Sequence, residues 1–214
     1  MCAIFGALGS QLHNEVQKGN FRRHLFQIQT ESHRRGRDGL GWHCAYRCSH
    51  KVGKTQTHKD LSQGSNVNDS IVLPDILCSE ESIVEISVIG NFRAEPTTEY
   101  VKEKSLSDQQ PYQSAGWSIV HNGTIANDKE LRTNTITTLI DSAAIAELLS
   151  LEDFDEVDAD NAQLVFDKVV RKLIGSYAIL ATHEAFPKVV FYACNYRPIW
   201  FAKIKGGVFF ASSS

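Results

Sequence analysis

The chain has 214 residues, 42% hydrophobic and 22% charged, enough apolar material for the core of one ordinary globular domain or two small ones. Its net charge of -3 gives no footprint for nucleic acid or an anionic membrane, where a basic stripe would be expected. No run approaches the roughly 18 to 20 apolar residues of a membrane span, and the start lacks the basic region of a signal peptide. Five cysteines, an odd number without regular spacing, fit reduced thiols in a cytoplasmic protein better than a disulfide framework.

Residues 2–8 are almost uninterruptedly apolar, which predicts a strand buried on both faces. From Glu15 to His33 the apolar positions Val16, Phe21, Leu25 and Ile28 recur at mostly helical spacing, and Gly36 follows as a stop. Gly39 to Cys48 is strand-like, and polar residues 51–70 read as a loop. Ile83–Ile89 and Trp117–Val120 read as strands running into Gly/Asn punctuation. Helices are predicted over Leu139–Leu151 and about Asn161–Ile174, with an acidic loop between them and Gly175 as a terminal stop. Ser176–Thr182, Lys188–Cys194, Ile199–Lys203 and Val208–Ala211 complete a strand-rich end. Strands at both ends and helices between them predict an α+β fold with mostly antiparallel sheet.

Several residues could carry chemistry. Removal of Met1 before the small residue Cys2 would leave a free α-amine beside a thiol. An α-amine has a pKa of about 7.7 to 8.0, so it can act as a base at neutral pH where lysine cannot. Alternatively, Cys2 is a small apolar residue of the first strand. In Trp117 to Asn127, a strand ending in His121-Asn122-Gly123 could aim an amide side chain and a backbone N–H at one point, as an oxyanion hole requires. The same Asn-Gly pair is also a common hairpin turn. Arg93, at a strand end, could clamp a carboxylate with a two-point fork, or pair with Glu95 at the surface. Asp141 could meet an ammonium, or simply favour the first turn of a helix. The arginine- and glycine-rich segment His33 to Trp42 matches no phosphate-loop pattern and reads as a helix end followed by a turn. His43, Cys44, Cys48 and His50 lack a second ligand pair elsewhere, so no metal is expected.

The order of these motifs is more informative than any one of them. Met1-Cys-Ala-Ile-Phe-Gly, Arg35-Gly-Arg-Asp-Gly-Leu-Gly, Gly90-Asn-Phe-Arg, Asp108-Gln-Gln-Pro-Tyr, His121-Asn-Gly-Thr-Ile-Ala-Asn, Asp141-Ser-Ala-Ala-Ile and Gly175-Ser-Tyr-Ala follow one another along nearly the whole chain. This resembles the class II glutamine amidotransferase domain, the N-terminal nucleophile glutaminase of amidophosphoribosyltransferase, glucosamine-6-phosphate synthase and asparagine synthetase. The resemblance implies a four-layer αββα sandwich and hydrolysis of the side-chain amide of L-glutamine through a Cys2 thioester. It makes Cys2 the nucleophile and its α-amine the base, with the Asn122 side chain and the Gly123 N–H as the oxyanion hole. Arg93 matches the clamp on the glutamine carboxylate, Asp141 the partner of its ammonium, and Arg35 a supporting residue near Cys2. No cofactor is implied.

Two features depart from the pattern. The segment after Arg93 reads Ala94-Glu-Pro-Thr-Thr98, which leaves open whether Thr97 or Thr98 touches substrate. The chain ends at Phe210-Ala-Ser-Ser-Ser214, where the family's domains continue into an acceptor domain. The expectation is therefore one type-2 domain spanning 1–214, with an ammonia-accepting synthase domain or partner beyond it. Gln110-Pro-Tyr leans toward an amidophosphoribosyltransferase-type acceptor, while Ala94-Glu-Pro-Thr-Thr98 leans toward ATP-pyrophosphatase domains that handle deazaguanine-like acids. The competing functions are a non-catalytic glutamine sensor and an amidase for another small amide; the first needs no Cys2, the second no Arg93–Asp141 pair.

Overall fold

The computed structural model describes residues 2–36, 39–49, 52–61, 71–94, 105–133, 136, 138–152 and 158–212. The apolar run after Cys2 forms β1 (Ala3–Leu12), whose residues alternate between two different cores. Phe5 and Ala7 face helix α1 (Glu15–His33), whereas Ile4 and Leu8 face a second sheet. Helix α1 begins at a capping box in which Asn14 and Gln17 exchange side-chain to backbone hydrogen bonds of 3.0 and 3.2 Å.

The first sheet adds β2 (Leu40–Cys48), β3 (Lys54–Lys59), β4 (Ile83–Phe92), β9 (Trp200–Ile204) and β10 (Gly207–Ala211), in the order β3-β2-β4-β1-β10-β9. The second contains β5 (Tyr112–Ser114), β6 (Trp117–Ile125), β7 (Gly175–His183) and β8 (Phe191–Asn195) in chain order. Neighbouring strands pair antiparallel in both sheets. Between the sheets, Ile4, Ile89, Val120, Ala178, Leu180 and Phe210 form one core. The outer face of the second sheet packs through Trp117, Ile119, Ile125 and Ile179 against α3 (Ala143–Ser150) and α4 (Ala159–Val170). A one-turn helix, α2 (Asp128–Leu131), precedes them. The layers are thus α, β, β, α, as the resemblance implied.

Three sequence expectations need correction. Lys54–Lys59, inside the stretch read as a loop, is the edge strand β3, in register with β2 through pairs such as His43↔Thr57. Its polar side chains hide it from any hydrophobic pattern, because the ladder of backbone hydrogen bonds makes it a strand. The strand from Trp117 continues past Val120 to Ile125, so Asn122-Gly123 lies inside β6 and is no hairpin turn. The helix predicted from Leu139 begins at Ala143. Residues 62–70 of the loop, with most of the acidic segment, lie outside the described residues.

Two histidines are buried with little to stabilise a charge, His43 between the sheets and His121 under α3. Burial lowers the pKa of each to about 4, and for His121 the nearby Asp141 only partly offsets this. The sign follows directly. A base whose folded pKa lies below its unfolded value binds fewer protons when folded, so stability falls as pH drops from about 6.5 toward 4. Each histidine withdraws up to roughly 3 kcal/mol over that window. Urea midpoints at pH 7 and pH 4.5 should differ accordingly, and His43→Asn combined with His121→Asn should shrink the difference. An equal difference in that variant would show that other groups control acid stability.

Candidate active site

Cys2 immediately precedes β1, and the β1–β4 register that pairs Ala3 with Phe92 leads on to Cys2 and Arg93. The Cys2 thiol lies against the next residue of that strand end. The Ala94 N–H donates to Sγ at 3.5 Å and Sγ lies 3.8 Å from the Ala94 carbonyl oxygen. Cys2 is half-buried, whereas Cys44 and Cys48 are fully inside the core under α1. Burial pushes the Cys44 thiol far above its ordinary pKa, so it is inert by comparison.

Asn122 and Cys2 come from different sheets. Asn122 shares its face of β6 with Val120, which lines the core between the sheets. Its Nδ2 donates to Ser212 Oγ at 3.1 Å, and the same oxygen accepts from the Ile4 N–H at 3.0 Å. Ser212 in turn donates its own N–H to the Ile4 carbonyl at 3.0 Å. Ser212 therefore fastens the Asn122 amide to β1 two residues from Cys2, and one N–H of that amide remains to be used. The neighbouring Gly123 has φ +147, and an added Cβ would collide with the Ser176 carbonyl oxygen. Only glycine fits there without displacing β7.

Arg93 is buried at the end of β4, where its N–H bonds the Gly39 carbonyl at 3.0 Å. Its guanidinium donates to the Asp108 carbonyl at 2.8 Å, leaving further donors in the fork. Desolvation raises the pKa of the Asp108 carboxyl, but hydrogen bonds from Thr138 and Ser105 and the charge of Arg93 outweigh it and hold it below the usual range. Tyr112 also donates to the Asp108 carbonyl, at 3.0 Å, and burial raises the pKa of its hydroxyl. Arg93 and Tyr112 thus meet on the same carbonyl oxygen.

Asp141 does not cap a helix. Its Oδ2 accepts from the Ile125 N–H at the end of β6 at 2.7 Å, and its Oδ1 accepts from Ser142 N at 2.8 Å. His121 Nδ1 lies 4.0 Å from Oδ1 and 2.7 Å from Ser142 Oγ. Arg35 has an exposed side chain in the turn after α1. The next residue, Gly36, lies so close to the Phe92 and Arg93 carbonyls that a Cβ would collide with them. It is Gly36, rather than the Arg35 side chain, that the structure brings against the end of β4. Thr97 and Thr98 lie outside the described residues. The sequence assigns no individual role to Asp108, Gln110, Tyr112, His121, Ser142 or Ser212, although His121 and Ser142 fall within the motifs named above. The Asp108-Gln-Gln-Pro-Tyr run was the only signal for the first three.

An open groove of about 680 Å³, bordered by Ser10, Asn20, Lys203 and Lys205, lies toward the far end of β1 and shares no residue with this cluster. Cys2 and Arg93 lie at the adjoining ends of β1 and β4, Ser212 ties the Asn122 amide to the same end of β1, and the Asp141 carboxylate sits at the end of β6.

No protein-family model matches the chain. A 7-cyano-7-deazaguanine synthase 2 from Sulfurisphaera tokodaii is 30% identical over 217 residues, covering 99% of this chain and 43% of that protein. A glutamine–fructose-6-phosphate aminotransferase from Helicobacter pylori is 36% identical over 115 residues, covering 51% of this chain and 19% of that protein. The chain thus spans less than half the length of these relatives. The solved glutamine phosphoribosylpyrophosphate amidotransferase from B. subtilis, in complex with ADP and GMP, matches with a TM-score of 0.61 at 17% identity. That match covers 99% of this chain and 42% of that one, and the likeness is one of fold.

Proposed function

Taking the chain as a class II glutamine amidotransferase domain of the N-terminal nucleophile type, we propose that it hydrolyses L-glutamine to glutamate and ammonia. The observation that carries this reading is the Ser212 junction, which ties the Asn122 amide to β1 beside Cys2 while Arg93 stands at the adjoining strand end. Met1 is removed, and the Cys2 α-amine takes the thiol proton as sulfur attacks the side-chain carbonyl of glutamine. The tetrahedral oxyanion is met by the Asn122 side chain and the Gly123 N–H. The C–N bond breaks, ammonia leaves with a proton returned from the amine, and water hydrolyses the Cys2 thioester to glutamate. Arg93 binds the α-carboxylate, Asp141 the α-ammonium, Thr97 also contacts the substrate, and Arg35 supports the site near Cys2.

Residues 1–214 form one glutaminase domain, and the ammonia passes to a synthase domain or partner. Relatives named as 7-cyano-7-deazaguanine synthases match nearly the whole chain, which makes an acceptor of that kind the first to test. The protein works in the cytoplasm, where reduced thiols persist.

The substrate clamp gives the test. Arg93→Ala and Asp141→Asn are expected to raise the KM for glutamine about 10- to 150-fold, the effect of losing a charge-assisted contact of roughly 1.5 to 3 kcal/mol. Asparagine at 141 keeps an oxygen for the Ile125 N–H, so it removes the charge without uncapping β6. Glutamate production measured against glutamine concentration would reject the assignment if both variants kept the wild-type KM.

A further inference from the structure

Strand β5 pairs with β6 only from Trp117 to Ile119. Beyond Ile119, side chains take over that edge. The Gln110 side-chain oxygen accepts from the His121 N–H at 2.6 Å, and its Nε2 donates to the His121 carbonyl at 3.0 Å. One carboxamide thus makes both bonds that a neighbouring strand residue would make with its own N–H and C=O. Farther along, the Asp141 carboxylate accepts from the Ile125 N–H. N–H groups of an extended strand alternate in direction, so that of Gly123 points to the same side as those of His121 and Ile125, between the two side chains.

We propose that Gln110 is a positioning residue for the oxyanion donors, standing in for a strand residue beside His121 and thereby fixing the peptide groups that carry the Asn122 side chain and the Gly123 N–H. The inference rests on the glutaminase reading above. Gln110 is itself held firmly, because a Cβ at Gly41 would collide with its carbonyl oxygen, so β2 can lie against it only with glycine there. Its Nε2 is also 3.4 Å from Ser142 Oγ, which lies 2.7 Å from His121 Nδ1 and 3.2 Å from Asp141 Oδ1. One arrangement satisfies all three contacts: His121 Nδ1–H and the Gln110 amide donate to the hydroxyl, and the hydroxyl donates to Asp141. Burial lowers the pKa of His121, and in the neutral ring this pattern places the single proton on Nδ1. Gln110 therefore links the oxyanion strand to the carboxylate assigned to the substrate ammonium.

Two variants test this. Gln110→Met fills the space without hydrogen bonds and is expected to lower kcat about 10- to 100-fold, with the KM for glutamine changed less than about threefold. Gln110→Glu restores both bonds only when its carboxyl is protonated, a state that burial favours. Its kcat relative to wild type is expected to rise as pH falls from 8 to 5.5, while the ratio for Gln110→Met stays flat. A wild-type kcat in Gln110→Met, a change in KM alone, or a flat ratio for Gln110→Glu would overturn the proposal. If wild-type protein releases no ammonia from glutamine, the glutaminase reading fails separately. Amide hydrogen exchange then decides the positioning claim: exchange at His121 and Gly123 at least tenfold faster in Gln110→Met supports it, and unchanged exchange refutes it.

Discussion

Cys2→Ala is expected to abolish ammonia release, by roughly 10⁴-fold or more in kcat, while glutamine still binds. The size of the loss follows from removing the atom that forms the covalent intermediate, which no neighbouring group can replace. The other thiols cannot substitute. Cys44 and Cys48 are buried under α1, and Cys78 and Cys194 are exposed in other elements, with Cys194 on β8 two strands from Asn122. Binding survives because Arg93 and Asp141, assigned to the two ends of the amino acid, are untouched. Calorimetry with glutamine and a coupled ammonia assay on the same preparation check both halves. Full turnover in Cys2→Ala would remove the nucleophile from the account.

Asn122→Ala is expected to depress kcat about 100- to 1000-fold and to leave glutamine affinity near wild type. The amide meets charge that develops fully only in the tetrahedral state, so its loss falls on the chemical step. The structure adds a condition. Asn122 also bonds Ser212 Oγ, so part of the effect could come from loosening the end of β10. Ser212→Ala separates the two contributions: it removes the anchor but leaves the donor, and a smaller kcat loss is expected than for Asn122→Ala. Steady-state kinetics of the two variants, with binding measured in a Cys2→Ala background, provide the comparison. A glutamine sensor would instead show weakened binding or no effect, since it has no chemical step to slow.

The legibility of this fold in the sequence divides along physical lines. Strands that bury side chains were visible, as in β1 and β7, where apolar residues line two cores at once. Strands defined by the backbone alone were not: β3 is polar, and β5 is three residues long. Taken alone, Asn122-Gly123 reads first as a turn, because local turn propensity cannot register that β7 continues to pair across it as far as Ile125↔Gly175. The four-layer stacking came through the resemblance, since periodicity shows that a face is buried but not against what. Cysteine, arginine and aspartate carry chemistry that a sequence displays by residue type alone. Gln110 and Ser212 act through geometry, and nothing in a lone glutamine or serine reveals that it bridges two strands.

In the proposed reaction the Cys2 sulfur attacks the side-chain carbonyl carbon of glutamine. A glutamine analogue carrying an electrophilic diazoketone in place of the amide tests it most directly, because it alkylates a nucleophile held at that carbon. After incubation and digestion, mass spectrometry should find one adduct per chain, on an N-terminal Cys2 lacking Met1, with labelling suppressed by excess glutamine. Labelling of Cys78 or Cys194 that glutamine does not suppress, or an unlabelled Cys2 in a protein that binds glutamine, would contradict the account.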